Sequence, residues 1–385
     1  MNTVMIVAGE SSGELYGSLL AKALRSMWPE TRLVGIGGDR MKDAGVELLS
    51  GISSALGLTE TLRSLKKVRE SYKRAVRALA ESSPDVLVLI DYPEFNFRVA
   101  RVAKRRGIKV LYYVSPQVWA WRRGRVKTMG EIADRVAVVL PFEEDIYKSA
   151  GIPCEFVGHP VMEEIEDYET ENPDVQSSTF DVQRSKAKTD NPIIALLPGS
   201  RPHELRTLLP LFVDVVRASK TEFKGCGFVL PLAPNIETER FRHSLSLLER
   251  EGVAFMKGDA IKALASSDMA VIASGTATLQ AALAGVPTVV VYKVSPLTYV
   301  LAKRILRVKY ISLVNILAGR EVIPELIQHE ANKENIMKQC RKILYDETYR
   351  TSMVSAFRGI REVFSGKRPS RRVAEMTGEL AGWKP

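Results

Sequence analysis

Short apolar runs rich in β-branched side chains alternate along the chain with stretches whose apolar positions recur at helical spacing. The runs have the length of buried strands, and the stretches between them can hold crossover helices. In the first half the predicted strands are Thr3–Ala8, Arg32–Ile36, Val86–Ile90, Lys109–Val114 and Arg135–Leu140. In the second half they are Ile193–Leu197, Gly227–Leu230, Met269–Ala273 and Thr288–Tyr292. This alternation predicts an α/β protein with parallel sheets.

A polar stretch separates the two sets of predicted strands. Residues Glu163–Asn191 have almost no apolar periodicity, and 385 residues are too many for one ordinary core. We therefore predict two Rossmann-like domains, residues 1–165 and 192–350, joined by a linker or surface excursion at 166–191. Residues 351–385 are expected to form helices, for which packing back on the N-terminal domain is one arrangement.

Ligands of parallel sheets bind at the carboxyl ends of the strands, so we expect the two domains to face a central cleft. Two-domain glycosyltransferases of the GT-B type have this layout. Periplasmic-type binding proteins and two-domain dehydrogenases have it as well, and the fold alone does not choose among them.

Composition and charge narrow the classes of function. No apolar run approaches the roughly 18 residues that span a bilayer, and the first residues lack a basic signal-peptide region. Three widely spaced cysteines make neither a disulfide framework nor a metal cluster, so we expect a cytoplasmic protein without a metal or cofactor. The formal net charge of +10 attracts phosphates in nucleotides, nucleic acids or anionic lipids, although many proteins are basic for no specific reason.

Two strand–turn–helix units in the second half have phosphate-binding character. In the first, Gly199 permits a tight turn, Ser200 offers a hydroxyl and Arg201 offers a fork of donors. In the second, Ser274, Gly275 and Thr276 are predicted at a helix N-terminus, where free N–H groups favour anions. The serine and threonine of either turn can instead serve only as N-caps. Two such turns in one domain favour a nucleotide diphosphate, and neither matches a P-loop or a dinucleotide fingerprint.

Carboxylates follow two predicted strands of the first half. Asp91 comes directly after Val86–Ile90, where a carboxylate can take a proton from an attacking hydroxyl, although a turn-forming role before Pro93 is the alternative. The loop after the first strand holds Glu10 and Glu14, which suit sugar hydroxyls or catalysis better than a phosphate.

Aromatic and basic residues cluster after the strand Lys109–Val114. Trp119 and Trp121 precede Arg122, and this pattern suits contact with a sugar, an acyl chain or stacked nucleic-acid bases. Core packing with a solvated basic rim is the simpler alternative.

An amphipathic helix is predicted around residues 62–79. Seven basic residues and one acidic residue lie between Arg63 and Arg77, a charge pattern that suits an anionic membrane surface. A surface helix with its apolar stripe in the core is the commoner explanation.

Several of these motifs, taken together, resemble one family. In order along the chain they are AGESSGE (8–14), GIGGDRM (35–41), IDYPEFN (90–96), YYVSPQVWAWR (112–122), LPFEEDIY (140–147), VGHPV (157–161), LPGSR (197–201), SGTATLQAAL (274–283) and SLVNILAGREVIPELIQ (312–328). This set resembles the lipid-A-disaccharide synthase family, inverting glycosyltransferases of the GT-B type.

The resemblance implies transfer of 2,3-diacylglucosamine from its UDP conjugate to 2,3-diacylglucosamine 1-phosphate, as in Gram-negative lipid A biosynthesis. It implies Asp91 as the base with Glu10 near the reacting centre, and no nucleic-acid partner. Donor contacts are expected from Gly199, Ser200, Arg201, Ser274, Gly275, Thr276, Gln280 and Asn315, and acceptor or acyl-sugar contacts from Ser12, Asn96, Ser115, Trp119, Trp121 and Arg122. Because both substrates carry acyl chains, we expect the basic helix, through Lys66, Lys67, Lys73 and Arg74, to hold the protein on the cytoplasmic face of a membrane. The sequence is compatible with a homodimer.

Three positions depart from the family pattern. Glu14 and Glu94 stand where aspartate is usual, and Gln280 stands where glutamate is general. In GT-B enzymes a carboxylate at that last position often holds the ribose hydroxyls, and an amide lacks the charge-assisted strength. Another enzyme that uses a UDP-sugar, such as an epimerase or transferase, and a non-catalytic nucleotide or nucleic-acid binder are the competing interpretations.

Overall fold

Two parallel sheets organise the chain in its computed structural model, which describes residues 1–9, 11–51, 62–120, 124–173, 191–233, 236–295, 298–300 and 308–384, without the side chains of residues 11, 51 and 62–67. Contacts divide the chain into two units. Unit 1 comprises residues 1–160 with 366–385, and unit 2 comprises residues 161–365.

The strands, numbered in chain order, are β1 Thr3–Ala8, β2 Arg32–Gly37, β3 Glu47–Gly51, β4 Val86–Ile90, β5 Lys109–Tyr113, β6 Arg135–Val138, β7 Cys154–Phe156, β8 Ile193–Leu197, β9 Gly227–Leu232, β10 Ala254–Lys257, β11 Met269–Ala273, β12 Thr288–Tyr292 and β13 Glu325–Ile327.

The helices are α1 Ser11–Met27, α2 Asp39–Asp43, α3 Leu62–Glu81, α4 Pro93–Arg105, α5 Arg125–Ile132, α6 Pro141–Lys148, α7 Pro160–Glu171, α8 Pro202–Glu222, α9 Arg242–Arg250, α10 Ala260–Ala265, α11 Thr276–Leu283, α12 Leu313–Ala318, α13 Lys333–Tyr345, α14 Glu347–Phe364 and α15 Pro369–Ala381. Short 3₁₀ turns cover Thr238–Phe241 and Gln328–Glu330.

Each unit has a doubly wound parallel sheet. In the described residues of unit 1 the strand order is β3-β2-β1-β4-β5-β6-β7, and in those of unit 2 it is β10-β9-β8-β11-β12-β13. The central strands β1, β4 and β11 are buried along their whole length, because helices cover both faces of such sheets. This burial explains why their sequences are nearly continuous apolar runs.

The nine predicted strands are present with small changes at their ends, but the structure adds four others. The additional strands are β3, β7, β10 and β13, and each lies at an outer edge of its sheet. Edge strands are short and half-exposed, so their sequences carry a weaker apolar pattern. In β10, for example, three of the four side chains are exposed.

The segment predicted as a linker begins as a helix. Residues 166–171 belong to α7, which packs into unit 2 through the buried side chains of Val161, Met162 and Ile165. Acidic residues stand between these apolar positions, so the sequence of α7 shows no clear apolar helical pattern. Residues 174–190 lie outside the described part of the chain.

The unit boundaries also differ from the predicted domain limits of 165 and 350. The chain passes from unit 1 to unit 2 after Pro160, and α14 belongs to unit 2. Only residues 366–385 pack on unit 1, where α15 lies against α1 so closely that a Cβ on Gly378 would stand 2.5 Å from the Trp28 ring. Arg372 pairs with Glu155 of β7 at 2.6 Å and so joins α15 to the edge of the sheet.

A buried ion pair holds three helices of unit 2 together. Arg361 of α14 donates to both carboxylate oxygens of Glu169 on α7, at 2.9 and 2.6 Å, and to the carbonyl oxygen of Leu283 at the end of α11, at 2.8 Å. Glu169 is buried. One guanidinium thus joins α14, α7 and the end of α11.

The first turn of α6 contains a buried carboxylate, that of Glu143. Glu143 accepts hydrogen bonds from the backbone N–H of Leu140 at 3.2 Å, from Ser115 Oγ at 3.2 Å and from Trp119 Nε1 at 3.1 Å. These donors lower the pKa of Glu143, but burial outweighs them and raises the pKa from 4.5 to about 7.

We predict that Arg361→Met lowers the free energy of unfolding of unit 2 by about 3–5 kcal/mol, because it leaves the Glu169 carboxylate buried without its cation. Urea denaturation measures the change. Arg242→Met is the matched control: Arg242 and its partner Glu239 are both exposed, so this change should stay within about 0.5 kcal/mol. Equal effects of the two substitutions would contradict the role of the ion pair.

We predict that Glu143 makes stability fall as pH rises. Since its pKa is higher in the folded state, its stabilising contribution is complete below pH 4.5 and is lost as pH rises through about 7. Relative to Glu143→Gln, the wild type should lose about 3 kcal/mol between pH 4.5 and 8 in urea denaturation. Trp119→Phe removes a donor that favours the ionised form, so it should move this loss to higher pH. A pH-independent difference between the wild type and Glu143→Gln would contradict the prediction.

Candidate functional site

The carboxyl ends of β1, β4 and β5 lie side by side in unit 1. Ala8 pairs with Ile90, and Ile90 pairs with Tyr113, so the residues that follow these strands share one edge of the sheet. Chain order reverses between β1 and β4, and such a switch point is where open α/β sheets bind ligands. Asp91 lies directly at this point, as the sequence predicts, while Glu10 lies outside the described residues.

The backbone of Asp91 is strained and is held by several hydrogen bonds. Asp91 and Tyr92 have left-handed φ angles of 49° and 46°. The N–H of Asp91 donates to the carbonyl oxygen of Tyr113 at 3.1 Å. The carbonyl oxygen of Asp91 accepts from Asn96 Nδ2 and Tyr112 Oη, each at 2.7 Å. Strain that is held in place in this way is typical of functional sites.

Asn96 has a different position from the one predicted. It was expected to contact the acceptor, but its side chain is fully buried, and its amide also donates to the carbonyl oxygen of Ile90 at 3.2 Å. Asn96 lies in the first turn of α4, and its buried amide fixes the position of the Asp91 carbonyl group.

The sequence patterns did not single out Tyr92, whose ring lies against Gly9. A Cβ on Gly9 would stand 2.4 Å from Tyr92 Cδ1, so only glycine at that position leaves room for the ring. The ring stacks on Phe95 with centroids 5.3 Å apart. The glycine directly after the first strand was the available signal.

Two of the residues that depart from the family pattern, Glu14 and Glu94, make contacts within the fold. Glu14 accepts from the backbone N–H of Arg40 at 2.9 Å and so caps α2. Glu94 is exposed and forms an ion pair with Arg125. Neither carboxylate points to a change in the chemistry at Asp91.

Of the four acceptor contacts predicted after β5, two bind another side chain of the protein and two lie outside the described residues. Ser115 is buried, and both it and Trp119 donate to Glu143. The Trp119 ring also packs edge-on against Phe142, with centroids 5.3 Å apart. Ser12 is half-buried in the first turn of α1. Trp121 and Arg122 lie outside the described residues.

The turn after β11 in unit 2 is suited to an anion. Thr276 begins α11, whose first turn contains no acidic residue, and a Cβ on Gly275 would meet no described atom within 4 Å. Ser274 Oγ donates to the carbonyl oxygen of Ile311 at 3.1 Å and ties this turn to the segment before α12. The open N-terminus of α11 therefore keeps the electrostatic character that the sequence predicts.

The turn after β8 is occupied by the protein's own carboxylate. Glu204 is buried and accepts from the backbone N–H groups of Ser200 and Arg201, each at 3.2 Å. Gly199 has a left-handed φ of 94°, and a Cβ there would stand 2.1 Å from Glu204 Oε2. The backbone N–H groups of Ser200 and Arg201 thus bind this carboxylate, and Gly199 leaves the space that it occupies. The Arg201 side chain is exposed, and its guanidinium lies 3.6 Å from the Glu204 carboxylate.

Asn315 is a scaffold residue and not a surface for ligands. It is fully buried; its Oδ1 accepts from the N–H groups of Val322 and Ile323 at 2.7 and 3.0 Å. Its Nδ2 donates to the carbonyl oxygen of Ile323 and to Glu325, each at 2.8 Å. All four hydrogen-bonding positions of the amide are used. Glu325, which accepts from Asn315, also accepts from the N–H of Ile311, the residue to which Ser274 is tied.

Gln280 is half-exposed on α11, and its Nε2 donates to Glu164 Oε2 at 3.0 Å.

Among the described residues there is no group of side chains suited to a metal ion, and none of their helices is both long and apolar enough to cross a membrane. Within the predicted membrane surface Lys73 and Arg74 are exposed, whereas the side chains of Lys66 and Lys67 lie outside the description.

Comparison with known proteins confirms the resemblance. The model of the lipid-A-disaccharide synthetase family matches residues 4–371. The lipid-A-disaccharide synthase of Trichlorobacter lovleyi is 40% identical over 373 residues, which cover 96% of this chain and 95% of the relative. That of Myxococcus xanthus is 40% identical over 381 residues, which cover 98% of this chain and 97% of the relative.

A solved structure supports the fold class alone. The putative UDP-N-acetylglucosamine 2-epimerase of Listeria monocytogenes superposes with a TM-score of 0.66 at 14% identity, covering 100% of this chain and 97% of that one. The predicted pair of Rossmann-like α/β domains of the GT-B type is confirmed. Given the agreement with the family along nearly the whole sequence, the chain belongs to the lipid-A-disaccharide synthetase family, whose members are glycosyltransferases.

Proposed function

We propose that the protein transfers 2,3-diacylglucosamine from UDP-2,3-diacylglucosamine to 2,3-diacylglucosamine 1-phosphate. The products are the β-1,6-linked disaccharide 1-phosphate and UDP, and the anomeric carbon is inverted in one direct displacement. The observation that carries this proposal is Asp91, a half-exposed carboxylate whose backbone is held in a left-handed conformation at the switch point of a parallel sheet.

Asp91 would act as the general base. It takes the proton of the acceptor 6-hydroxyl, the oxygen forms a bond to the anomeric carbon of the donor, and the bond from that carbon to UDP breaks. Hydrogen bonds to the carbonyl oxygen of residue 91 hold its backbone in place, which fixes the point from which the side chain starts and reduces the reorganisation needed at the moment of reaction.

Unit 2 would hold the donor. The N-terminus of α11 at Ser274–Thr276 offers N–H groups to the diphosphate, and Arg201 offers a guanidinium for the charge that grows on the departing UDP. Asn315 would support this turn indirectly, because it donates to Glu325, which binds the N–H of Ile311, and Ile311 receives Ser274. Glu10, Ser12, Trp121 and Arg122 stay proposed contacts of the sugar or acyl groups.

The acyl chains of both substrates require a membrane, and we propose that unit 1 lies on its anionic cytoplasmic face. Arg69, Lys73 and Arg77 are exposed at successive turns of α3. On the adjacent helix α4 the side chains of Arg98 and Arg101 are also exposed. Together these residues form a cationic surface that attracts anionic lipid headgroups.

We predict that Asp91→Asn lowers the rate of disaccharide formation by about 10²–10⁴-fold, because the variant keeps the backbone contacts of residue 91 but has no base. The assay incubates the protein with both diacylglucosamine substrates and detects the disaccharide and UDP by mass spectrometry. Glu94→Gln, an exposed carboxylate three residues away, is the control and should retain activity. Absence of disaccharide with the wild type would refute the proposed function, and full activity of Asp91→Asn would refute the assigned base.

We predict that replacing Lys73, Arg74 and Arg77 by glutamine weakens binding to vesicles of anionic phospholipid by about tenfold or more, because each basic residue near such a surface contributes about 1 kcal/mol. Vesicle sedimentation at low salt measures the change. Arg217, Arg240 and Arg242 of unit 2 are exposed and provide a matched triple glutamine control. Equal losses for the two triple variants would mean that net charge, and not this surface, determines binding.

A further inference from the structure

The segment that follows β5, residues 114–120, leaves the sheet at the edge where Asp91 lies. Tyr113, the last residue of β5, accepts from the N–H of Asp91 at 3.1 Å, and Tyr112 donates to the Asp91 carbonyl oxygen at 2.7 Å. The segment thus starts next to one of the groups that hold the proposed base, and its course helps to form the surroundings of that base.

The first residue of this segment has an unfavourable backbone conformation. Val114 has a left-handed φ of 59°, which β-branched side chains rarely adopt. Its N–H donates to the carbonyl oxygen of Ala137 at 3.1 Å, so β6 fixes the start of the turn. Such a conformation persists only where surrounding contacts hold it, so the rest of the segment needs an anchor of its own.

That anchor is the buried carboxylate of Glu143 on α6. Its Oε1 accepts from Ser115 Oγ at 3.2 Å and from Trp119 Nε1 at 3.1 Å, and these two donors lie near opposite ends of the segment. Its Oε2 accepts from the N–H of Leu140 at 3.2 Å, which ties the carboxylate to the start of its own helix. Because Glu143 and Ser115 are buried, little water competes for these hydrogen bonds, and a charged acceptor strengthens them.

Trp119 connects this buried carboxylate to the surface. Its indole N–H donates to Glu143, whereas its ring is only half-buried and packs edge-on against the half-buried ring of Phe142. We propose that Glu143 is a positioning residue of the acceptor site, whose carboxylate holds residues 114–120 beside Asp91 in the conformation that receives the acceptor sugar. This inference rests on the proposed function, in which Asp91 deprotonates the acceptor.

The strength of this anchor depends on ionisation. The ionised carboxylate accepts from all three donors with charge-assisted strength, whereas the protonated form is neutral and one of its oxygens carries a hydrogen. Burial raises the pKa of Glu143 to about 7, so the two forms exchange near neutral pH. The neighbouring Tyr147 and Cys154 stay neutral there, because burial raises the pKa of the tyrosine hydroxyl and raises that of the thiol to about 12. Glu144, which also acts on Cys154, is paired with Lys148 at 2.9 Å.

Steady-state kinetics of disaccharide formation by the full chain, at pH 8 and pH 6, test the inference. At pH 8 we expect Glu143→Gln to raise the KM for the acceptor about fivefold or more, because an amide cannot replace the charge-assisted hydrogen bonds. At pH 6 the wild-type carboxyl is mostly protonated, so the two values should agree within about twofold. Since the acceptor phosphate itself titrates at about pH 6, the two proteins are compared at the same pH. The KM for the donor should be the same in both.

Two further variants separate positioning from a loss of folded protein. Asp145→Asn removes an exposed carboxylate from the same helix and is the matched control, which should leave both KM values unchanged. Ser115→Ala removes one donor and keeps the carboxylate, so it should raise the acceptor KM at pH 8 by a smaller factor than Glu143→Gln. Combined with Glu143→Gln it should add little, since both changes act on the same contact.

Tryptophan fluorescence without substrates follows the contact itself. The wild type should titrate with a midpoint at about pH 7, and both Trp119→Phe and Glu143→Gln should remove this step. If the wild type lacks the step, or if Glu143→Gln lowers kcat and leaves both KM values unchanged, Glu143 only stabilises the fold and the inference is overturned. If the wild type forms no disaccharide, the proposed function fails and the acceptor role with it, while the fluorescence step still reports the contact.

Discussion

The backbone of residue 91 is the constraint on which the proposed chemistry depends. A left-handed conformation at two successive residues other than glycine is costly, and it persists here because Asn96, Tyr112 and Tyr113 bind the peptide groups of Asp91. These partners come from β5 and from the inner face of α4, which pack into the core of unit 1. The cost of the strained turn is thus offset by the packing of elements that have no contact with the substrate in the proposed reaction.

Carboxylates that bind the protein's own backbone decide which turns stay open. Glu14, Glu143 and Glu204 each accept backbone N–H groups at the beginning of a helix. Glu204 in this way occupies a turn whose sequence suggested a phosphate site. The first turn of α11 has no such residue, and this difference, more than the glycine and serine content of either turn, distinguishes the two.

Helix α7 connects the fold to the candidate donor site. Its apolar side joins the core of unit 2, while its acidic side presents Glu169 to Arg361 and Glu164 to Gln280. A segment that looks like a linker therefore contributes one carboxylate that binds Arg361 and a second that joins α7 to α11 through Gln280.

The α/β class, the nine inner strands and the placement of Asp91 and Ser274–Thr276 after buried strands could all be predicted from the amino-acid sequence. These features follow from local patterns, because a strand buried on both faces is apolar throughout and the turn after it lies at one edge of the sheet. The edge strands, whose half-exposed residues have weak patterns, could be located only from the folded chain. The same holds for the hydrogen-bond partners of Asn96, Asn315 and Glu204. Each of those side chains acts on a partner that folding brings close, and the sequence around a residue does not reveal which distant or backbone group will receive its hydrogen bond.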